Sequence, residues 1–352
     1  MKNYFKKDIF SKNKIIWNNR NLLNQNLFGK INLFFTKKKI GKLKYIHKRS
    51  GIEINSNNFR IKINKNIFLL KKWSNNLSKK KIIKINKLNN ILYKKINLIP
   101  KIIQINNKNE FLFNRQYWTL YKFLNGNHFS GSIKEFKNTS FNIGLLYKNL
   151  RKLRIQNNFP NGPRYNSYKN REIFNDIIKN KKNWNNMFGK KLENKLLQNW
   201  DLIKKTYNNN QKNKPLVKFK QLSHIDLHPH NILIKNKKVI SFLDMESCRN
   251  MNPGYSLAFC CLKICKQTII KSKIKNKNKL NLLVRLFIKE VSKNYPKINL
   301  LYKHFFYYAS SEVLRRILII LNQNLQGIKT WNKVLGIQIN HLKETDYLFK
   351  DL

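Results

Sequence analysis

The chain has 352 residues, of which 41% are hydrophobic and 12% are aromatic. This much apolar material excludes a disordered chain and supports one large domain or a small lobe joined to a larger one. The charge is strongly unbalanced, since 73 Lys and Arg face 16 Asp and Glu and the formal net charge is +57.

Two interpretations of this charge stay open. A nucleic-acid-binding protein neutralises phosphates with Lys and Arg, which are usually gathered in a patch or stripe. Alternatively, the whole composition is biased toward Lys, Asn and Ile, which the scatter of the basic runs favours: "KKK" occurs at 37–39 and at 79–81, and "KSKIKNKNK" at 271–279. With either origin, we expect polyanions to bind nonspecifically at low salt.

The cysteines and the apolar runs indicate the compartment. Three of the four cysteines lie in "LAFCCLKICKQ", whose apolar character predicts a buried helix. Their spacing fits no familiar zinc-ligand pair, so we expect reduced core thiols. The N-terminus lacks the apolar stretch of a signal peptide, and no run reaches about 18 apolar residues. We therefore expect a cytoplasmic protein without a membrane span.

The first part of the chain predicts strands. Residues 1–50 are a basic N-terminal extension whose weak periodicity assigns no element. Strands are predicted over 58–63 and 67–72, joined by an Asn-Lys-Asn turn. Apolar residues at helical spacing predict a helix over 78–96. The stretch "FLFNRQYWTLYKFLNG" then predicts two more strands that end at Asn125-Gly126.

After this point the pattern becomes helical. The stretch "NNNQKNKP" at 208–215 is predicted to be a solvent-exposed loop, and a short hairpin is predicted over 231–244. Helices are predicted on the periodicity of 139–155, 171–181, 188–207, 255–269, 279–294, 298–323 and 331–343. The expected fold class is therefore α+β and two-lobed, with a small β-rich N-lobe over 51–125 and a larger, mostly helical C-lobe over 126–352.

The stretch "LSHIDLHPHNIL" at 222–233 concentrates scarce histidines and acids. His224, Asp226 and Asn231 form H-x-D-x-x-x-x-N, and the hairpin that follows ends in Asp244. Phosphoryl transfer from ATP requires positioning and charge neutralisation, and Mg²⁺ prefers hard oxygen ligands. Because a hairpin brings its ends together, Asn231 and Asp244 can share a metal, while Asp226 projects toward the acceptor hydroxyl.

This region resembles the catalytic region of the aminoglycoside phosphotransferase and choline kinase-like family, small-molecule relatives of protein kinases. The family loop often reads "HGDLHPGN", and this chain has "HIDLHPHN" followed by Asp244-Met245-Glu246. The resemblance implies a protein-kinase-like fold and the cofactors ATP and Mg²⁺. It implies Asp226 as catalytic base or hydroxyl-orienting group, and Asn231 and Asp244 as metal ligands. Glu246 would bind the metal directly or through water.

Other segments resemble the family in the same order along the chain. "GIEINSNNFRI" resembles the phosphate-covering loop and "IFLLKKW" the next strand, whose Lys holds the ATP phosphates. Lys71 aligns best with that Lys, and Lys72 is the alternative. Strand alternation places Leu69 on the same face as Lys71, against the adenine. "YWTLYKFLNG" resembles the adenine-contacting strand, which implies backbone contacts from Tyr121, Lys122 and Phe123.

The sequence departs from the family in three places. The family helix supplies a Glu that pairs with the strand Lys, but no Asp or Glu occurs between Lys71 and Pro100, and Lys84 lies near the expected position. Ser256 replaces an Asp that anchors the loop, and His230 replaces a Gly. These departures are compatible with slower turnover, with a lysine held by other groups, or with a protein that binds nucleotide without transferring phosphate.

The leading hypothesis is an ATP- and Mg²⁺-dependent phosphotransferase acting on a hydroxyl of a small molecule of the sugar or amino-alcohol type. Acids are few after Asp244, so a neutral or anionic acceptor is favoured over a polycation. Glu312 and Arg315 are either part of a packed helix or line the acceptor pocket. The alternative functions are a catalytically weak or silent nucleotide-binding regulator and a basic nucleic-acid binder. The oligomeric state is not predicted.

Overall fold

The computed structural model describes residues 5, 14–18, 22–49, 56–153, 158–165, 168–217 and 219–350. The described residues form two compact units. The N-terminal unit consists of those within 12–129 and 230–247, and the C-terminal unit of those within 130–229 and 248–350 together with Phe5. The hairpin predicted over 231–244 therefore groups with the N-terminal strands.

The N-terminal unit is built on an antiparallel sheet. Its strands are β1 (Trp17–Asn18), β2 (Leu43–Arg49), β3 (Ser56–Ile63), β4 (Asn66–Trp73), β5 (Ile102–Ile103), β6 (Phe111–Phe113) and β7 (Gln116–Lys122). They pair in the order β1-β2-β3-β4-β7-β5, with β6 on β7. The helices of this unit are α1 (Leu22–Lys37) and α2 (Lys79–Ile96). A second, three-stranded sheet contains β8 (Asn127–His128), β10 (Ile232–Lys235) and β11 (Lys238–Phe242).

Local sequence explains the hairpins of the sheet. Asn64 adopts a left-handed φ of 51° between β3 and β4, and Asn114 and Arg115 have φ of 48° and 57° between β6 and β7. Asn accepts this conformation more readily than most residues. Helix α2 begins after Ser78, whose side chain accepts a hydrogen bond from the Lys81 amide. The strands and the helix predicted within 58–122 are confirmed.

Residues before 51 contain more structure than their sequence predicts. Strand β1, helix α1 and strand β2 fall in the segment left unassigned, and Ile31 and Phe35 of α1 are buried in the core of the sheet. The expected phosphate-covering loop is flanked by β2 and β3, and its residues 51–55 lie outside the described residues.

The C-terminal unit is mostly helical. Its helices are α3 (Ile133–Arg151), α4 (Tyr168–Lys179), α5 (Trp184–Phe188), α6 (Lys190–Leu197), α7 (Trp200–Lys212), α8 (Pro253–Ser272), α9 (Lys277–Ser292), α10 (Ile298–Leu301), α11 (Phe305–Leu325) and α12 (Asn332–Phe349). Two short strands, β9 (Gln221–His224) and β12 (Cys248–Met251), pair antiparallel. Together the units confirm the predicted α+β class, with a small sheet-based unit and a larger helical one.

Three predictions for the C-terminal unit need correction. The segment 298–323 is two helices, α10 and α11, separated by a 3-10 turn over Tyr302–His304. The segment 188–207 is three helices, because Gly189 interrupts it with a φ of 76° and Asn199 separates α6 from α7. The stretch 208–212 is helical and continues α7, although a solvent loop was predicted. Asn210 explains the difference: it is buried, and its amide donates 3.0 Å hydrogen bonds to Ser310 and Ser311.

Helix α8 is a central element of the C-terminal unit. Cys260, Cys261 and Cys265 are buried on it as predicted, and together with buried Cys248 they are free thiols. Burial raises the pKa of Cys260 and Cys261 well above the ordinary thiol value. Among the described residues, no helix is long and apolar enough to cross a membrane.

Candidate active site

A concave pocket in the N-terminal unit collects the residues expected to bind a nucleotide. Lys71, Tyr121, Lys122 and Phe123 all line it, and so does Asp244. Its apolar walls include Leu69, Leu233 and Phe242. Leu69 lies opposite Tyr121 in the β4–β7 register, which places it on the pocket face with Lys71, as strand alternation predicted.

The backbone of the expected adenine-contacting strand is already partly used. The Lys122 amide donates a 2.8 Å hydrogen bond to the Lys101 carbonyl. A ligand edge in this pocket would therefore meet the backbone beyond Lys122, at Phe123 and Leu124, which line the pocket after β7 ends.

The structure distinguishes Lys71 from Lys72. The Lys71 side chain is buried, forms an ion pair with Glu246 and lies 3.7 Å from Asp244 Oδ1. Lys72 points elsewhere, with its ammonium 5.7 Å from the ring centre of Trp118. Burial alone would lower the pKa of Lys71, but the charges of Glu246 and Asp244 raise it above the ordinary value. Lys71 is therefore a permanent cation in the pocket.

Helix α2 contributes one amide, that of Asn89, to the described pocket lining and no carboxylate. Asn86 and Asn89 are buried on the helix, and Asn89 lines the pocket. Asn89 donates to the Tyr121 hydroxyl, which donates in turn to Asn86 Oδ1, both at 3.4 Å. Lys84, expected near the position of the family Glu, is half-buried and does not belong to the described pocket lining.

The hairpin β10–β11 brings Asn231 and Asp244 to one end. Asn236 and Lys237 take left-handed φ values of 49° and 62° at the turn, and the Leu243 amide donates a 2.9 Å hydrogen bond to the Asn231 carbonyl. Asp244 follows with a φ of 57°, which is uncommon for a residue other than glycine and marks a constrained position. The hairpin therefore sets these two oxygen-bearing residues beside each other in the chain fold.

The donor set suits Mg²⁺ better than zinc. Within the described part of the chain, no three His, Cys, Asp or Glu side chains cluster as a ready-made metal centre. Mg²⁺ commonly takes one or two protein oxygens and completes its shell with water and phosphate oxygens. The Asp244 side chain is 41% exposed, so its carboxylate has room for such a shell. Asn231 and Asp244 fit this kind of ion.

His230, which stands where the family often has glycine, packs within the N-terminal unit. Its ring lies edge-on to that of His128, with 5.2 Å between the ring centres. His128 Nε2 in turn lies 3.3 Å from Arg49 Nη2, and Arg49 lines the pocket. The His230 side chain therefore packs against His128, which in turn contacts a residue of the pocket lining.

Asp226 lies in the C-terminal unit after β9. Arg316 Nη2 donates a 3.0 Å hydrogen bond to Asp226 Oδ1, and His228 Nε2 lies 3.5 Å from Oδ2. The Asp226 side chain is 35% exposed. Burial would raise its pKa, but the charges of His228 and Arg316 outweigh that effect and hold the pKa well below the ordinary value. Asp226 is therefore held as an ionised, weakly basic carboxylate.

Arg316 is itself held by a buried acid. Glu312 is fully buried and accepts hydrogen bonds from Arg316 Nε at 2.7 Å and from Arg315 Nε at 2.8 Å. Arg315 Nη2 and the Tyr165 hydroxyl also donate to it, at 2.7 Å and 2.8 Å. Burial opposes ionisation of Glu312, but the two arginines lower its pKa below the ordinary value. Glu312 is therefore a fixed anion that orients Arg316.

The loop that carries Asp226 is anchored despite the missing family Asp. The Tyr147 hydroxyl lies 2.9 Å from Ser256 Oγ and 3.3 Å from the His224 carbonyl oxygen. Ser256 Oγ also donates to the Pro253 carbonyl at 3.0 Å. His224 is buried, and its Nδ1 accepts a 3.3 Å hydrogen bond from the Asp226 amide. A buried tyrosine and a serine thus link helix α8 to the loop.

Several site residues were missed at the sequence level. Arg315 was considered at the sequence level and Arg316 was not. The one available signal for Arg316 was its i,i+4 spacing from Glu312. Ile15 and Trp17 of the unassigned N-terminal extension also line the pocket, and Trp17 contacts Phe123 edge-on with ring centres 5.9 Å apart. Nothing in the local sequence marks either residue.

Comparison with solved structures places the fold. Spectinomycin phosphotransferase in complex with ADP and spectinomycin is 15% identical, with a TM-score of 0.64 over 92% of this chain and 95% of that chain. An ethanolamine kinase from Plasmodium vivax is also 15% identical, with a TM-score of 0.55 over 91% and 87%. Amicoumacin kinase bound to AMP-PNP and Ca²⁺ is 8% identical, with a TM-score of 0.58 over 89% and 96%. The predicted kinase-like fold is confirmed.

Comparison at the sequence level gives the family. A search of curated proteins found no match. The family model described as the phosphotransferase enzyme family, APH, matches residues 53–269, which is more than half of the chain and includes Lys71, Asp226 and Asp244. The resemblance seen in the loop and hairpin is thereby confirmed, and this chain belongs to the APH phosphotransferase enzyme family.

Proposed function

We propose that this protein transfers the γ-phosphoryl group of ATP, with Mg²⁺, to a hydroxyl of a small molecule. The observation that carries the proposal is the pocket of the N-terminal unit, where buried Lys71 lies 3.7 Å from Asp244 beside apolar walls. The adenine ring of ATP requires apolar walls, and its polyphosphate requires a cation and a metal-binding carboxylate. Structural neighbours crystallised with ADP or AMP-PNP support the choice of nucleotide.

The N-terminal unit supplies the nucleotide-binding groups in this proposal. Leu69, Tyr121 and Phe123 hold the adenine, with Lys122 in the strand that carries it, and Lys71 binds phosphate oxygens. Asn231 and Asp244 would hold Mg²⁺, which when bound neutralises charge on the phosphates. These residues orient the terminal phosphate and keep its negative charge compensated.

The C-terminal unit supplies Asp226. Its carboxylate accepts a hydrogen bond from the acceptor hydroxyl. This hydrogen bond orients a lone pair of the hydroxyl oxygen toward the γ-phosphorus. The new oxygen–phosphorus bond forms as the bond between the γ-phosphorus and its bridging oxygen breaks, and ADP leaves. The hydroxyl proton passes to Asp226 or to solvent late in the transfer, because His228 and Arg316 keep the carboxylate weakly basic.

The acceptor is proposed to be a neutral or anionic hydroxyl compound, such as a sugar. A cationic acceptor needs free acids or an aromatic cage. Glu312, an acid considered for the acceptor pocket, is fully buried and bound by Arg315 and Arg316. Its charge is therefore already compensated.

Two observations weigh against a silent nucleotide-binding regulator. That alternative was motivated by the missing helix Glu and by Ser256. Lys71 nevertheless has an acidic partner in Glu246, and Ser256 contacts Tyr147 at the base of the loop.

The experiment is a thermal-shift and ATP-consumption screen with Mg²⁺ against sugars, amino alcohols and amino acids. The proposal expects stabilisation by nucleotide and acceptor-dependent ATP consumption. Nucleotide stabilisation without consumption across the whole panel would instead favour the regulator. A clear preference for choline or aminoglycosides would overturn the acceptor class alone.

A further inference from the structure

We propose that Glu246 is the acid that positions Lys71, a role that in this family belongs to a helix glutamate. The inference rests on the proposed function in one respect, namely that Lys71 binds phosphate. It is otherwise an inference about how this chain's own residues hold a buried cation.

The pair is desolvated, and its geometry singles out Glu246. The side chains of Lys71 and Glu246 are 6% and 14% exposed, and they are in direct hydrogen-bond contact. Asp244 is farther away at 3.7 Å and its side chain is 41% exposed. Because a buried ammonium without a partner is costly, the less exposed and closer acid is the one that fixes the position of Lys71.

Helix α2 contributes no competing charge to the described pocket lining. Asn89 is the α2 residue in the pocket lining, and it is 6% exposed. Its Oδ1 is buried without a hydrogen-bond partner in the described part of the chain. A carboxylate at position 89 would place an oxygen where the amide oxygen of Asn89 now accepts no hydrogen bond. The α2 wall is therefore neutral, and the counter-charge comes from the turn after β11.

Because of this placement, one turn carries both the acidic partner of Lys71 and the proposed metal ligand. Where the lysine pairs with a helix glutamate instead, these two acids lie on different elements. Glu246 lies in the 3-10 turn Met245–Ser247, directly after Asp244, and the Ser247 amide closes the turn on the Asp244 carbonyl at 3.0 Å. Any displacement of this turn moves the partner of Lys71 and the proposed metal ligand together. The helix α2 then has no charge-based control over Lys71.

A double-mutant cycle tests the pairing without nucleotide or metal. The melting temperatures of wild type, Glu246→Gln, Lys71→Met and the double variant are measured in EDTA. We expect Glu246→Gln to lower the melting temperature by roughly 2–4 °C in the wild-type background. The effect should disappear in the Lys71→Met background, because the pair is already lost. Equal effects in both backgrounds would overturn the pairing, even if no turnover were found.

Moving the acid to the helix tests the positioning role. Glu246→Gln should lower kcat by about 100-fold, the scale expected for a misplaced catalytic group, with less change in the KM for ATP. Adding Asn89→Glu should restore at least half of this loss on a logarithmic scale. The matched control is Asn90→Glu, one residue along α2 and outside the described pocket lining, which should restore nothing.

A metal-binding role for Glu246 gives the opposite pattern. If Glu246 acted chiefly on Mg²⁺, Glu246→Gln would raise the Mg²⁺ concentration for half-maximal activity, and the defect would persist with Asn89→Glu. That outcome would refute the positioning role while leaving the proposed phosphotransfer intact.

Discussion

Arg316 donates a 3.0 Å hydrogen bond to the carboxylate of Asp226, although the two residues are 90 positions apart in the chain. The arginine cannot lose its charge at ordinary pH, and Glu312 fixes its guanidinium from the other side. The residue expected to act on the acceptor hydroxyl is therefore held as an anion by a buried network. In the proposed function this carboxylate orients the acceptor hydroxyl, which suits a transfer whose transition state carries little bond formation to the nucleophile.

The first prediction concerns pH. His228 and Arg316 depress the pKa of Asp226, so the carboxylate form persists as pH falls below the ordinary Asp value of about 3.9. Arg316→Gln should raise this pKa and move the acid limb of kcat/KM to higher pH. The stabilisation that the ionised carboxylate provides should likewise be lost earlier on acidification. The measurement is the pH profile of kcat/KM and of the melting temperature.

Arg315→Gln serves as the control for this profile. Arg315 bonds Glu312 with the same chemistry, but its described hydrogen bonds go to Glu312 and not to Asp226. The acid limb of the kcat/KM profile of Arg315→Gln should lie closer to that of wild type than to that of Arg316→Gln. An identical shift in both variants would contradict a direct effect of Arg316 on Asp226.

The second prediction concerns the N-terminal extension. Trp17 lines the pocket proposed to bind the nucleotide and contacts Phe123 edge-on. Aromatic pairs contribute about 0.5–1.5 kcal/mol beyond burial, so Trp17→Ala should weaken ATP binding about 3- to 10-fold with little change in kcat. Titration calorimetry gives the dissociation constant. Ile16→Ala, at a neighbouring exposed side chain, should leave it unchanged; an equal loss there would indicate a general disturbance of β1.

The third prediction concerns stability. Lys266 and Glu344 form a 2.8 Å ion pair between α8 and α12, with side chains 3% and 0% exposed. Removing one partner leaves a buried charge, so Glu344→Ala should lower the free energy of unfolding by about 3–5 kcal/mol. The comparison is Lys190–Glu193, whose lysine side chain is 75% exposed, and Lys190→Met should cost less than about 1 kcal/mol. Denaturant unfolding measures both, and similar losses would show that burial does not govern these pairs.

The fourth prediction concerns the loop anchor. The Tyr147 hydroxyl touches Ser256 and the His224 carbonyl, and it is buried. Tyr147→Phe should lower stability by about 1–2 kcal/mol, because it leaves buried polar partners unsatisfied. It should also lower kcat more than it changes the KM for ATP, since it loosens the loop of Asp226 and not the nucleotide pocket. An unchanged kcat would assign the tyrosine to packing alone.

Sequence reasoning succeeded where neighbours in the chain make the structure. The hairpin that brings Asn231 toward Asp244 is local, and its turn residues and strand pattern can be read within residues 231–244. The same holds for Leu69 and Lys71, whose common face follows from alternation in β4. Local pairing and periodicity need no knowledge of the rest of the fold.

It failed where a contact joins distant segments. Lys71 and Glu246 are 175 positions apart, so the absence of an acid in α2 gave no indication of which acid would replace it. Trp17 reaches the pocket only because β1 pairs with β2, a two-residue pairing with no periodic signal. The stretch after 207 looked like a loop because its asparagines are polar, yet Asn210 is buried against serines of α11.

The most direct test of the account uses ATP with isotopically labelled γ-phosphoryl oxygens and an acceptor identified in the screen. Wild type should yield a phosphate ester of the acceptor that carries the label, and Asp226→Asn should form it at least about 100-fold more slowly while binding ATP normally. Asp201→Asn, at an exposed carboxylate of α7, should match wild type. Label found only in inorganic phosphate, or an equal rate in Asp226→Asn, would contradict phosphotransfer through Asp226.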